Sequence, residues 1–182
     1  MVVGAIERVR QMSEKPIVAV LMGSESDLPV MEGACGVLEG FGVPFEVGVM
    51  SAHRSPEAVR TFASGAYERG IKVIIAGAGG AAHLAGVVAS HTTLPVIGVP
   101  MPTARAGGMD SLLSTVQMPR GVPVATMGVG ESGAHNAALM AVAILALGDP
   151  SLAEALRSHR AAMIRDVAAA DTRVKEQTRR QR

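Results

Sequence analysis

An imidazole beside a guanidinium is the pair in this sequence best suited to chemistry: His53-Arg54, in the segment Ser51-Ala52-His53-Arg54-Ser55-Pro56. Imidazole gains and loses a proton near neutral pH, and guanidinium is a fixed cation whose planar fork suits phosphate. Two further segments carry suitable groups. Gly23-Ser24-Glu25-Ser26-Asp27 offers hydroxyls, backbone N–H groups and, in Asp27, a carboxylate for ribose hydroxyls; such a set at a helix start can hold a phosphate. Taken alone, it reads as simple helix capping by Ser26 or Asp27. Gly77-Ala78-Gly79-Gly80-Ala81-Ala82-His83-Leu84 is built of residues small enough for a ligand to approach the backbone, with amides for a carboxylate or ring nitrogen. His83, taken alone, reads as a core histidine bonded to backbone.

Each segment follows a short apolar run, and five such runs recur: Ile17 to Met22, Phe45 to Met50, Val73 to Ala76, Val96 to Val99 and Val124 to Met127. Near-continuous Val, Ile and Ala, flanked by Gly and Pro, predicts parallel strands covered on both faces. Val30, Ala34, Val37, Leu38 and Phe41 fall at helical spacing, and Pro56 stands at a first helical position behind Ser55 as N-cap. Further helices are expected over Leu84 to His91, Met109 to Met118 and Gly133 to Leu147. The last is apolar all round, which predicts burial all round. After Gly148-Asp149-Pro150, the residues Leu152, Leu156, Met163, Val167 and Val174 form a stripe among charges. That stripe predicts a long terminal helix packing on a neighbour, with a frayed, solvated basic end from Arg173 to Arg182. The fold expected is α/β: a three-layer sandwich around a five-stranded parallel sheet, flavodoxin-like or Rossmann-like, plus the terminal helix. Its parts are an N-terminal extension (1–15), a catalytic domain (16–148) and the C-terminal helix with basic tail (149–182). In such a sheet, ligands bind beyond the carboxyl ends of the strands, where all three segments lie.

Composition narrows the partners. The 182 residues carry a formal charge of +1, are 2% aromatic and lack Trp, which leaves neither the field nor the stacking surfaces of a single-strand nucleic-acid binder. Only Arg105, Asp110, Arg120, Glu131 and Asp149 are charged between residues 73 and 149. That stretch is expected to be mostly buried, partly against copies of the chain. A membrane span is not expected, because Gly77, Gly79, Gly80, Pro95, Pro100 and Pro102 break the first uncharged run and the second is too short. Cys35 is the sole cysteine and Met1 to Lys15 has no unbroken apolar core; both suit a cytoplasmic protein. The five histidines show no metal-ligand spacing, and His91 and His159 read as structural or exposed. The eleven methionines read as core filler. Neither GxxxxGK[ST] nor GxSxG occurs. Gly77, Gly79 and Ala82 match G-x-G-x-x-G/A, but the carboxylate expected about 20 positions on is missing.

Several longer motifs stand in order between Val18 and Leu147. Beside the three segments above are Leu94-Pro95-Val96-Ile97-Gly98-Val99-Pro100, Gly108-Met109-Asp110-Ser111-Leu112-Leu113-Ser114, Val116-Gln117-Met118-Pro119 and Asn136-Ala137-Ala138-Leu139. Together they resemble the N5-carboxyaminoimidazole ribonucleotide mutase family of purine biosynthesis. One departure is Ala85, where that family usually has Pro, a change expected to loosen a loop. The resemblance implies a cofactor-free, metal-free isomerase, forming octamers, that moves a carboxylate from N5 of a ribonucleotide to C4 of its imidazole ring. It implies that Ser24, Ser26 and Arg54 grip the phosphate and Asp27 the ribose. His53 becomes the general acid/base, with His83 counted beside it as catalytic. Ser51, Ala52, the Gly79-Gly80-Ala81 backbone, His83 and Leu84 would line the base and carboxylate pocket. The nearest rival is a carboxylase making the same product from aminoimidazole ribonucleotide and CO2; there Lys typically follows the His, where this chain has Arg54. A rival of another class is a non-catalytic module binding a dinucleotide at the Gly77 segment.

Overall fold

The structure, a computed structural model, describes residues 15–180; the extension expected over 1–15 lies, save Lys15, outside the described residues. The apolar runs form β1 (Val18–Met22), β2 (Phe45–Val49), β3 (Val73–Ala78), β4 (Val96–Pro100) and β5 (Ala125–Thr126). With them come a 3-10 turn (Glu25–Asp27) and the helices α1 (Leu28–Gly40), α2 (Pro56–Gly65), α3 (Leu84–Ser90), α4 (Met109–Val116), α5 (Glu131–Leu145) and α6 (Pro150–Arg180). Every strand pair is parallel, in the order β2-β1-β3-β4-β5. This is the flavodoxin-like order, in which the direction of winding reverses between β1 and β3.

Right-handed crossovers in that order place α1 on one face of the sheet and α2, α3 and α4 on the other. Side-chain alternation follows. Ala19, Leu21, Ile74 and Ala76 share a core with Val59, Ala63, Leu84 and Val88, each large aliphatic group contributing about 1.5–3 kcal/mol by burial. On the opposite face, a Cβ at Gly77 would stand 2.7 Å from Met31 Sδ and 2.6 Å from Met101 Cε. Glycine there lets two methionines close over the sheet. Ala85 lies in the first turn of α3 and is 1% exposed, so the position expected to loosen a loop is instead packed inside a helix.

β1, β3 and β4 are buried throughout, as strands covered on both faces must be. β2 differs: an edge strand with one strand neighbour, it leaves Val47 48% and Val49 57% exposed. β5 shrinks to two residues between Pro123, which has no N–H to give a ladder, and Gly128. α5 also departs from expectation. Ala134, Ala137, Ala138, Ala141 and Val142 are wholly buried, but Met140 and Ala143 are exposed, because the apolar helix packs on one side only within the chain.

The chain divides into two compact units, the first ending at Ile144 and the second beginning at Leu145. The second contains α6. Its start is organised by Asp149, whose Oδ1 accepts from the N–H groups of Ser151 (2.9 Å) and Leu152 (3.3 Å). Rather than fraying at Arg173, it runs to Arg180, with Lys175 Nζ 2.7 Å from Asp171 Oδ2. Ile164 and Val167 are exposed along it. Among the described residues, no helix is long and apolar enough to cross a membrane.

Candidate active site

Ladder bonds continue past the strand ends and root the three segments in the sheet. Gly23 N–H donates to Gly77 O (3.0 Å), Met50 N–H to Met22 O (2.9 Å) and Met101 N–H to Ala78 O (2.9 Å). A cavity of about 490 Å³ opens above them, at the carboxyl ends of β1, β2 and β3, where the winding reverses. Its size is usual for a small-molecule site. It brings together Ser24, Ser26, Asp27, Ser51, Ala52, His53, Arg54, Gly79, Ala81, His83 and Leu84. Gly80, singled out with them, does not line it: its N–H is turned to Ser111 Oγ at 2.9 Å.

In the first segment, capping falls to Ser24, not to Ser26 or Asp27. Ser24 Oγ accepts from Ser26 N–H (3.3 Å) and from the Ser26 hydroxyl (2.9 Å). Asp27 stands at the N-cap of α1 with no side-chain capping bond. Its carboxyl is half-buried, and loss of solvent holds its pKa above the ordinary 3.8 despite opposing hydrogen bonds from the Ser24 backbone and the Ser26 side chain.

The second segment is stapled to itself. Ser55, expected as an N-cap, occupies that position but caps nothing with its side chain. Its Oγ instead accepts Ser51 N–H (2.9 Å) and donates to Ser51 O (3.1 Å), bonds worth about 1 kcal/mol each. Ser51 Oγ accepts from Arg54 N–H (3.2 Å), and Arg54 Nη2 reaches Gly23 O of the first segment (3.2 Å). The guanidinium is thus aimed before any ligand arrives.

His83 is no core histidine. It is exposed, and its Nδ1 lies 2.8 Å from His53 Nε2, with the rings edge-on at 69° and centroids 4.9 Å apart. The two ring nitrogens face each other at hydrogen-bond distance, one donating and the other accepting.

Other groups take no part in this arrangement. Cys35 on α1 has its thiol pushed up to about 11, by burial first and then by Glu39 and Glu32, so it is no nucleophile near neutral pH. Among the described residues, no group of three or more His, Cys, Asp or Glu could hold a metal ion. Asn136, Glu131 and His135 border a separate cavity of about 640 Å³. Sequence reasoning assigned no role to Thr103, Asp110, Ser111 or Ser114, which organise the third segment from α4 and the loop before it. Thr103 Oγ1 donates to Asp110 Oδ1 at 2.8 Å. The available signal was two hydroxyls three residues apart on a helix following a strand's carboxyl end.

The family model described as AIR carboxylase matches residues 17–166. A Pyrococcus horikoshii protein named N5-carboxyaminoimidazole ribonucleotide mutase is 54% identical over 164 residues, 90% of this chain and 92% of that one. A Mycobacterium tuberculosis protein of the same name is 60% identical over 139 residues, 76% and 79% of the two chains. The crystal structure of Treponema denticola PurE covers 87% of this chain and 98% of its own, at 29% identity and a TM-score of 0.78. With its sheet order, its cavity at the switch point and these relatives, the chain belongs to the AIR carboxylase family.

Proposed function

We propose that the cavity binds N5-carboxyaminoimidazole ribonucleotide and transfers its carboxylate from N5 to C4, as the names of the relatives say of those proteins. The observation that carries the reading is the His53–His83 contact at 2.8 Å, set in the same cavity as Arg54 and the Ser24–Ser26 turn. Ser24, Ser26 and Arg54 hold the phosphate, Asp27 the ribose, and Ser51, Ala52, Leu84 and the third segment surround the base. Binding energy from the phosphate, remote from the bonds that change, keeps the ring in register.

His53 gives a proton to N5, drawing on the pair it forms with His83. The N5–carboxyl bond breaks, its electrons stay on nitrogen, and CO2 leaves with aminoimidazole ribonucleotide beside it. C4 then attacks CO2, using the electrons that the N5 amine feeds into the ring. The new carboxylate is formed at a tetrahedral C4 that still carries its hydrogen. Neutral His53 removes that hydrogen, aromaticity returns, and the pair regains the proton it lent. The balance closes without a cofactor. Gly79, Ala81 and Ala52 give the cavity small walls that limit water around the freed CO2.

The protein is further proposed to work in the cytoplasm as an octamer, with the catalytic domain at 16–148 and the terminal helix at 149–182 packing on a neighbouring subunit. Exposed Met140, Ile164 and Val167 support that packing. Sedimentation of the purified chain reads the assembly directly, and a monomer would remove it. The activity is tested by giving the protein N5-carboxyaminoimidazole ribonucleotide in bicarbonate-free buffer. Formation of the C4 product is expected; a requirement for aminoimidazole ribonucleotide and CO2 would assign the carboxylase reaction instead.

A further inference from the structure

We infer that Ser111 and Ser114 are positioning residues for this reaction, because together they decide which amides of the third segment face the cavity. The inference rests on the functional reading above. Ser111 is wholly buried and its Oγ accepts Gly80 N–H at 2.9 Å. Ser114, one turn further along α4, shares its single hydroxyl proton between Asp110 O (2.7 Å) and Gly80 O (3.1 Å), the latter also accepting from Ala82 N–H (2.9 Å). One residue is therefore held at both its polar ends, in the left-handed conformation (φ +66°) that glycine adopts without penalty.

A trans peptide carries its C=O and N–H on opposite sides. Holding Gly80 C=O toward α4 accordingly turns the N–H of Ala81 away from α4. The same logic applies one peptide pair earlier: Ala78 C=O is taken by Met101 N–H at 2.9 Å on the β4 side, which turns Gly79 N–H away from β4. Gly79 and Ala81 line the cavity and Gly80 does not. Among the described residues, neither Gly79 N–H nor Ala81 N–H has a hydrogen-bond acceptor. Two donors, spaced across one glycine, are left for the oxygens of the carboxyl group that moves. Fixed donors of this kind hold a small, weakly bound fragment without reorganising at the moment of reaction. Such a device acts on the transfer itself and not on capture of the phosphate.

The test compares steady-state kinetics and thermal unfolding of the full chain carrying Ser111→Ala, Ser114→Ala or Ser114→Thr, beside the unaltered protein. Ser114→Ala is expected to lower kcat about tenfold, and Ser111→Ala more, up to about a hundredfold. KM for the ribonucleotide should change less than about threefold, because Ser24, Ser26 and Arg54 are untouched. Ser114→Thr, which returns the hydroxyl, should restore kcat to within about threefold. Ser114 is only part-buried, so its variants fold even if Ser111→Ala does not. Full kcat in Ser114→Ala, a loss borne by KM alone, or no rescue by threonine would each overturn the inference. An unaltered protein that fails to convert the substrate would instead overturn the functional reading.

Discussion

The two walls of the cavity are built on opposite plans. The wall after β1 and β2 is made of side chains that hold one another: Ser55 staples Ser51, Ser51 braces Arg54, and Arg54 reaches Gly23 O. The wall after β3 presents peptide groups and one imidazole, and is held from behind by hydroxyls of α4. A charged ligand end needs a cation with a fixed aim, which only a side chain supplies. A moving carboxyl fragment needs close, rigid donors, which bare backbone supplies better. The His53–His83 contact joins the two walls.

The most damaging way to break this division is at the joint. His53→Asn keeps a polar side chain but no group that takes and returns a proton, so kcat should fall at least about a thousandfold while substrate binding persists; unchanged turnover would remove His53 from the reaction. Next, Arg54→Lys keeps the charge but loses the fork that meets Ser51 and Gly23 together. KM should rise about ten- to a hundredfold with a smaller change in kcat, the reverse of the split expected for the α4 serines. A loss confined to kcat would erase the difference between the walls.

The smallest effect concerns Asp27. Its folded pKa lies above its unfolded value because its carboxyl is desolvated, so the folded chain binds this proton more tightly and ionisation opposes folding. The group's contribution to stability is full below about pH 3.8 and is lost as pH rises through the raised value. Asp27→Asn should therefore raise the unfolding midpoint at pH 7 by roughly 2 °C, fading below about pH 4, while KM rises several-fold. A variant less stable than the parent at pH 7 would contradict this sign.

What a sequence displays is side chains, and the first wall is written in them. His53 and Arg54 announce themselves by type, Ser24 and Asp27 only through the family resemblance, and the strands behind them by near-continuous apolar runs. Taken alone, His83 reads as a core histidine because its partner lies 30 residues away in sequence and only the register of β2, β1 and β3 brings them together. Ser55 takes the N-cap position its letter suggests, but its side-chain bond to Ser51 has no signal in the sequence, because an N-cap and a loop staple look alike in a string of letters. The α4 serines stayed hidden because their partner is a glycine's peptide, which has no side-chain signature. Exposure of Val47, Val49 and Met140 was equally out of reach, since apolar patterning reports what a residue prefers and not which neighbour is present to satisfy it.

The rooting bonds at Gly23, Met50 and Met101 make the floor of the cavity part of the sheet's own cooperative unit. Amides in such a unit exchange with solvent only when the whole domain opens, whereas surface loops breathe locally. The seat for the ring thus stands ready before any ligand diffuses in, and arrival demands little further ordering of the chain. Damage at distant sites would leave that seat intact until global collapse, so catalytic failure should come abruptly, as a threshold and not as gradual wear.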